Sequence, residues 1–288
     1  MRPDFIPGHI SDADIRPLLI AGAHGTLGRA FGRICLTRGL AAVELGRADL
    51  DIADPASVAA ALEEHRPWAV VNAAGYVRVD DAETDAERCF RENATGPEVL
   101  AQACAAHGLP LLTFSSDLVF DGEQEHPYTE SSVPNPLNVY GRSKLAGERA
   151  VLAAHPAALV VRTSAFFSSW DEYNFVHFAL QAGRAGYPFE AADDVRMAPT
   201  YVPDLVNTAL DLLLDEAHGL WHLACQDSCT WAELARAAAR RAGLAEDFVV
   251  PRPMADFGLP ARRPRQSVLA SEKGMVQPSI EDALGRML

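Results

Sequence analysis

The stretch Pro17-Leu-Leu-Ile-Ala-Gly22-Ala-His-Gly25-Thr-Leu-Gly28 decides how the chain is read. A short apolar run passes directly into three glycines spaced three apart, and these open a segment of helical periodicity that reaches about Arg38. Strand, tight turn, helix is the pattern this implies. Glycines at such a turn let backbone N–H groups approach a pyrophosphate at the positive end of a helix. Gly22, Gly25 and Gly28, with Thr26 and Leu27 between them, are therefore expected to form a dinucleotide cradle. The spacing is Gly-x-x-Gly-x-x-Gly and not Gly-x-Gly-x-x-Gly, so a turn needed only for packing is the plainer alternative. The position directly after a strand favours the cradle.

Outward from this stretch the alternation repeats. AAVEL, a helix near Pro55–His65, WAVVNAAG, a helix near Asp85–His107, PLLTFSS, a helix from about Asn138 to Ala154 and ALVVRTS follow in order. Strands alternating with helices imply a parallel sheet covered on both faces. The expected fold class is α/β, a Rossmann-type doubly wound parallel sheet with a smaller C-terminal substrate-binding lobe. Residues 17–164 form the expected NAD(P)-binding core. Residues 165–288 are mainly the second lobe, interleaved with the core, with a helix near Val202–Asp215, the strand-like LWHLA and a helix near Thr230–Ala242. Residues 1–16 mix Pro, Gly and charge without a period and are expected to be a flexible lead-in or linker.

The 288 residues carry 39 acidic against 25 basic side chains, a formal net charge of −14. That balance argues against nucleic acid as a partner, because phosphate backbones call for clustered Lys and Arg. Five scattered cysteines point to reduced cytosolic thiols, and Cys225 and Cys229, four apart with no second Cys or His pair nearby, do not suggest a metal site. No apolar run approaches the roughly 20 residues that span a bilayer, and no secretory pattern opens the chain. A cytoplasmic protein without a membrane partner is the expectation.

The residues with chemistry lie at the ends of the expected strands. Gly46-Arg47 closes the second strand, where an acidic residue would accept the ribose hydroxyls of NAD; the Arg47 guanidinium suits a 2′-phosphate instead. NADPH is thus the expected cofactor with NADH as the alternative, and a solvated surface arginine is the plain reading of Arg47. Asp51-Ile52 offers a carboxylate and an apolar contact to the adenine edge, against a turn cap; Asp54-Pro55 looks more like a cap. In Tyr140-Gly-Arg-Ser-Lys144 the two end residues are four apart and share one helix face. A tyrosine has its pKa near 10, so proton transfer near neutrality calls for a nearby cation, which Lys144 supplies while gripping a ribose. Ser116, in Phe114-Ser115-Ser116-Asp117, adds a hydroxyl for a substrate carbonyl. Together the three make a proton-delivery trio opposite a hydride donor.

On these residues the chain resembles the extended short-chain dehydrogenases, and within them the dTDP-4-dehydrorhamnose reductase branch. The landmarks are GAHGTLG, DLDIAD, RPWAVVNAAGYVRVDDAE, FSSDLVFDG, PLNVYGRSKLAGE, VRTS, APTYVPDL, GLWHLA and RRPRQSVL, in the family's order from Pro17 onward. The resemblance implies Ser116, Tyr140 and Lys144 as the catalytic trio, Asn72, Ala73 and Ala74 as cofactor lining, and a supporting role for Asn93. It implies reduction of the C4 ketone of a nucleotide-linked deoxy sugar, dTDP-4-dehydro-L-rhamnose first, and allows a homodimer. Substrate contacts are expected from Asp117, Asn174, Phe175 and Arg263, with packing between lobes as the alternative for those in the second lobe. Arg196 is a candidate for holding a pyrophosphate or carboxylate, against an exposed surface arginine.

The chain departs from the family in its pocket. Ser116 and Leu118 stand where many relatives carry the Thr and Tyr of Ser-Thr-Asp-Tyr, Ala165 stands where a Trp is common, and Met197 replaces the usual Gly before Ala-Pro-Thr. A different nucleotide sugar, or a non-catalytic NADP-binding regulatory subunit of the same fold, are the rival readings. The acidic run Val79-Asp80-Asp81-Ala82-Glu83 is expected to supply caps and loop anchors, with no metal required.

Overall fold

The structure is a computed structural model that describes residues 16–274 and 277–288. The expected lead-in at residues 1–16 falls, apart from Arg16, outside the described residues.

Six short strands form one parallel sheet: β1 (Leu18–Ala21), β2 (Ala42–Leu45), β3 (Ala69–Asn72), β4 (Leu111–Ser116), β5 (Leu159–Thr163) and β6 (Gly219–His222). Their spatial order is β6-β5-β4-β3-β1-β2. Side chains alternate across a strand, so each buried strand feeds two cores. Leu18 and Ile20 of β1 enter one core, Leu19 and Ala21 the other. This explains why β1 and residues Ala69–Val71 of β3 are continuously apolar instead of alternating polar and apolar.

Helix α1 (Thr26–Arg38) buries Leu27, Ala30, Phe31, Ile34 and Cys35, the i, i+3, i+4, i+7, i+8 spacing of one helical face. It ends at Gly39 in the left-handed conformation. Helix α2 (Pro55–His65) starts as its sequence suggests, with Asp54 accepting from the Ala56 N–H at 3.0 Å and Pro55 in the first turn. The stretch expected as one helix near Asp85–His107 is instead α3 (Ala86–Phe90), a widened π turn over Arg91–Thr95, and α4 (Gly96–His107). Single π turns tend to sit at functional positions, and this one carries Glu92 and Asn93. Helix α5 (Val139–Ala154) is capped by the Asn138 side chain, which accepts from the Gly141 N–H at 2.7 Å. Such a cap is worth about 1 kcal/mol.

Beyond β5 come α6 (Phe175–Ala185), α7 (Val202–Leu214), α8 (Trp231–Arg241) and α9 (Ile280–Met287). Helix α7 returns to pack with α1 on one face of the main sheet, while α2, α4 and α5 cover the other. The LWHLA segment is β6, the sixth strand of the main sheet, paired with β5. Helices α6, α8 and α9 enclose a separate core around Val176, Leu180, Leu234, Ala238 and Leu284. Among the described residues no helix is long and apolar enough to cross a membrane.

The first turn is tight enough to constrain its sequence. A Cβ on Gly28 would lie 2.2 Å from the Gly22 carbonyl oxygen, an immovable backbone atom. Gly28→Ala is expected to displace the start of α1 and cost about 1–3 kcal/mol, read as a lowered urea midpoint at unchanged slope; an unchanged midpoint would show that the helix start can yield.

Candidate active site

The order of the sheet reverses between β1 and β3, and an open parallel sheet binds ligands at the carboxyl ends of its strands at such a switch point. Two adjoining cavities open there, of about 690 and 410 Å³, sharing Leu27, Ala73, Ala74, Phe166 and Trp231.

The larger cavity is floored by the first turn. Gly22 has φ +87°, and a Cβ there would meet the Ala74 nitrogen at 2.6 Å, so the turn lies directly on the end of β3. Gly25 begins α1 without a side-chain cap, leaving the first-turn N–H groups free of a side-chain partner. Thr26 Oγ1 donates to the Asp171 carboxylate at 2.5 Å. Gly28 is not in the lining; it serves the close packing described above. At the far end stand Arg47, Asp51, Ile52, Arg91 and Glu92. Asp51 accepts from the Ala53 N–H at 3.0 Å and pairs with Arg91 at 2.6 Å, a hydrogen bond that holds its carboxyl below the usual range against the opposing effect of burial. Burial works to raise the Glu92 carboxyl, but Arg47 and Arg88 outweigh it and keep it low. A cradle closed to side chains, an uncapped helix start and a far end of paired arginines and carboxylates beside the apolar Ile52 fit the pyrophosphate and adenosine of a dinucleotide.

The smaller cavity gathers Ser116, Asp117, Tyr140 and Lys144. Ser116 ends β4, and its hydroxyl donates to Asp117 at 2.9 Å while accepting from the Leu118 N–H at 3.1 Å. Tyr140 and Lys144 lie one turn apart on α5. Gly141 seats that helix start beneath the Leu118 carbonyl, where a Cβ would approach to 2.1 Å. Lys144 Nζ donates to the Phe114 carbonyl at 3.3 Å and lies 5.8 Å from the centre of the Tyr140 ring. Asn93 braces the helix from below: it accepts from the Tyr76 N–H at 2.8 Å and donates to Ser143 Oγ at 3.0 Å, and Ser143 in turn donates to the Tyr140 carbonyl at 2.7 Å. Asn72 donates to Thr113 Oγ1 at 3.1 Å and accepts from the Ala74 N–H at 3.2 Å, fixing the loop that both cavities share.

Burial pulls the Lys144 ammonium down to about 8, opposed by the charge of Glu148. Burial, followed by the nearby Asp117, pushes the Tyr140 phenol well above its usual value. Burial dominates here, and Lys144 is not among the groups that shift the phenol. A phenol so placed stays protonated at neutral pH and can give a proton. Asp117 is itself raised by burial despite hydroxyl donors from Ser267 at 2.6 Å, Ser164 at 2.8 Å and Ser116.

The candidate substrate residues that follow β5 divide. Arg263 lines the smaller cavity, but its guanidinium is held by Asp80, at 2.6 Å for the Nη2–Oδ2 contact. Glu83 accepts from the Val139 N–H at 2.8 Å, so the acidic run anchors both the C-terminal segment and the start of α5. Asn174 and Phe175 border the larger cavity with their side chains engaged elsewhere. Asn174 caps α6 by accepting from the His177 N–H at 3.0 Å, and Phe175 packs its ring 4.7 Å from that of Trp231. Arg196 is a correction: it lines neither cavity, pairing with Glu233 at 3.0 Å and donating to the Ser228 carbonyl at 3.1 Å. Sequence reasoning missed Glu92, Asp171, Trp231 and Ser267, each brought to the site from a segment distant in the chain. Only Glu92, beside Asn93, stood next to a residue already singled out.

A family model described as the RmlD substrate binding domain matches residues 16–284. The dTDP-4-dehydrorhamnose reductase of Streptomyces griseus is 38% identical over 257 residues, covering 87% of this chain and 84% of that protein. The probable dTDP-4,6-dihydroxy-2-methyloxan-3-one 4-ketoreductase of Streptomyces antibioticus is 37% identical, covering 88% and 87%. The crystal structure of dTDP-4-dehydrorhamnose reductase from Bacillus anthracis str. Ames in complex with NADP is similar with a TM-score of 0.90 at 30% identity, covering 94% of this chain and 98% of that one. The sequence match runs almost from end to end and takes in both cavities, and on it the chain belongs to the RmlD substrate binding domain family.

Proposed function

We propose that this protein reduces the C4 ketone of a nucleotide-linked deoxy sugar with NADPH, dTDP-4-dehydro-L-rhamnose being the leading substrate. The observation that carries the reading is the gathering of Ser116, a half-buried Tyr140 and Lys144 in a sugar-sized cavity that adjoins the larger one floored by the glycine turn. The relatives named as a dTDP-4-dehydrorhamnose reductase and a probable 4-ketoreductase support it.

In this reading Gly22, Gly25, Thr26, Leu27, Asn72, Ala73, Ala74, Asp51 and Ile52 hold the cofactor, Arg47 meets a 2′-phosphate, and Lys144 grips the ribose next to the reacting ring. When bound, the reduced nicotinamide supplies a hydride to the ketone carbon. Tyr140 gives its phenolic proton to the ketone oxygen, so the carbonyl becomes an alcohol and the phenolate forms beside the Lys144 cation. Ser116, released from Asp117, donates a hydrogen bond to the same oxygen and orients it. Asp117 and Arg263 face the sugar nucleotide. A cytoplasmic location and a homodimer go with this reading.

A second reading, reduction of another 4-keto nucleotide sugar, is favoured by the walls of the smaller cavity, where Leu118, Ala165 and Met197 replace the family's commoner residues. The test mixes the protein with NADPH and dTDP-4-dehydro-L-rhamnose and follows loss of the near-ultraviolet absorbance of the reduced nicotinamide. Turnover is expected, and Tyr140→Phe should lower kcat/KM by about 100- to 10,000-fold. Cofactor binding without turnover would move the assignment to another keto sugar or to a regulatory subunit.

The pH profile follows from Lys144. A cation whose pKa is lowered to about 8 keeps its charge below that value and loses it above, so kcat/KM should fall as pH rises through about 8; a rate flat to pH 10 would contradict this role. Arg47→Ala should weaken NADPH far more than NADH, and equal weakening would remove the phosphate contact from the scheme.

A further inference from the structure

At the adenosine end of the larger cavity is a charge cluster whose central member none of the roles above uses. Glu92, only 6% exposed, is carried on the widened turn Arg91–Thr95. One of its oxygens accepts from Arg88 Nε at 2.7 Å, and the other pairs with Arg47 Nη2 at 2.8 Å. The side chains of Arg47 and Arg88 are 64% and 56% exposed, so the buried member of the trio is the carboxylate. Glu92 lines the cavity together with Arg47, Asp51, Ile52 and Arg91, and Arg91 is already taken by Asp51 at 2.6 Å.

This arrangement gives one carboxylate two opposite effects on two cofactors. A 2′-phosphate approaching Arg47 must either displace Glu92 from the guanidinium or lie beside a like charge. A ribose 2′-hydroxyl brings no charge, and a carboxylate is a good acceptor for it. We infer that Glu92, bridging Arg47 and Arg88, sets the cofactor preference of this pocket by restraining the arginine that meets the 2′-phosphate while accepting the 2′-hydroxyl of NADH. Arg88 acts in the opposite sense, since by taking part of the carboxylate's charge it leaves Arg47 freer to turn to phosphate. The second strand thus ends in an arginine while the acidic residue that usually answers a ribose comes from a different segment. The inference rests on Arg47 as the phosphate contact.

The test is direct binding, without sugar substrate: dissociation constants for NADPH and NADH from the fluorescence of the bound reduced nicotinamide, in the parent protein and in Glu92→Gln, Arg88→Met and Arg47→Ala. Glu92→Gln keeps the shape and leaves two solvent-exposed arginines that water can satisfy. It should raise the ratio of NADPH to NADH affinity by about threefold or more, the scale of one partly exposed charge pair. Arg88→Met should lower that ratio, and it keeps the inference falsifiable if Glu92→Gln does not fold. An unchanged or lowered ratio in Glu92→Gln, or one not lowered in Arg88→Met, overturns the role of Glu92 when Arg47→Ala still abolishes the preference. A ratio indifferent to Arg47→Ala overturns the phosphate contact itself.

Discussion

The close approach of backbone to backbone at the first turn is the constraint on which the site depends. Gly22 lies on the Ala73–Ala74 peptide and Gly28 on the Gly22 carbonyl, contacts that leave no room for a Cβ at either position. They bring the start of α1 to the end of β3, where the sheet reverses, and so form the floor of one cavity and the shared wall of both. Any side chain there would push α1 away from β3 and open the junction where hydride donor and ketone have to meet. The glycines act through what they omit.

A second set of contacts fixes Tyr140, the proposed proton donor. Tyr140 depends on a helix start held from four directions: the Asn138 cap, Glu83 on the Val139 N–H, the Leu118 carbonyl over Gly141, and Asn93 acting through Ser143. Asp117, next to Ser116, gathers hydroxyls from Ser164 after β5 and from Ser267 in the C-terminal segment. One buried carboxyl therefore ties the end of β4 to a part of the chain 150 residues away, and the C-terminal segment is referenced to β4 by hydrogen bonds as well as by packing.

What could be read from the sequence was whatever local periodicity determines. β1, α1, the Asp54-Pro55 cap and the Tyr140–Lys144 face are set by spacings of two, three and four residues, and each is found in the structure. The fold class followed from their alternation, and the family match agrees with it. Pairings across long stretches of chain were not legible. Arg196 looked like a free cation beside a pocket because its partner, Glu233, lies 37 residues on. Asn174 looked like a substrate contact, yet its side chain caps α6, a helix hidden in an aromatic-rich segment. LWHLA read as a strand, but its place as the sixth strand of the main sheet depends on α7 folding back under α1.

The shifts of Tyr140 and Lys144 have one cause and opposite signs. Burial penalises whichever form of a group is charged, so it raises the Tyr140 phenol and lowers the Lys144 ammonium. The walls responsible are largely apolar: Leu27, Val79, Phe114, Leu118, Phe166 and Met197. The only cations among the described residues lining this cavity are Lys144 and Arg263, and Arg263 is already held by Asp80. A phenol in such surroundings holds its proton until a stronger acceptor forms. In the proposed reaction the developing alkoxide of a reduced ketone is such an acceptor. The residues that remodel the pocket, Leu118, Ala165 and Met197, are apolar as well. They can therefore alter which sugar fits while preserving the low polarity on which the proton transfer depends.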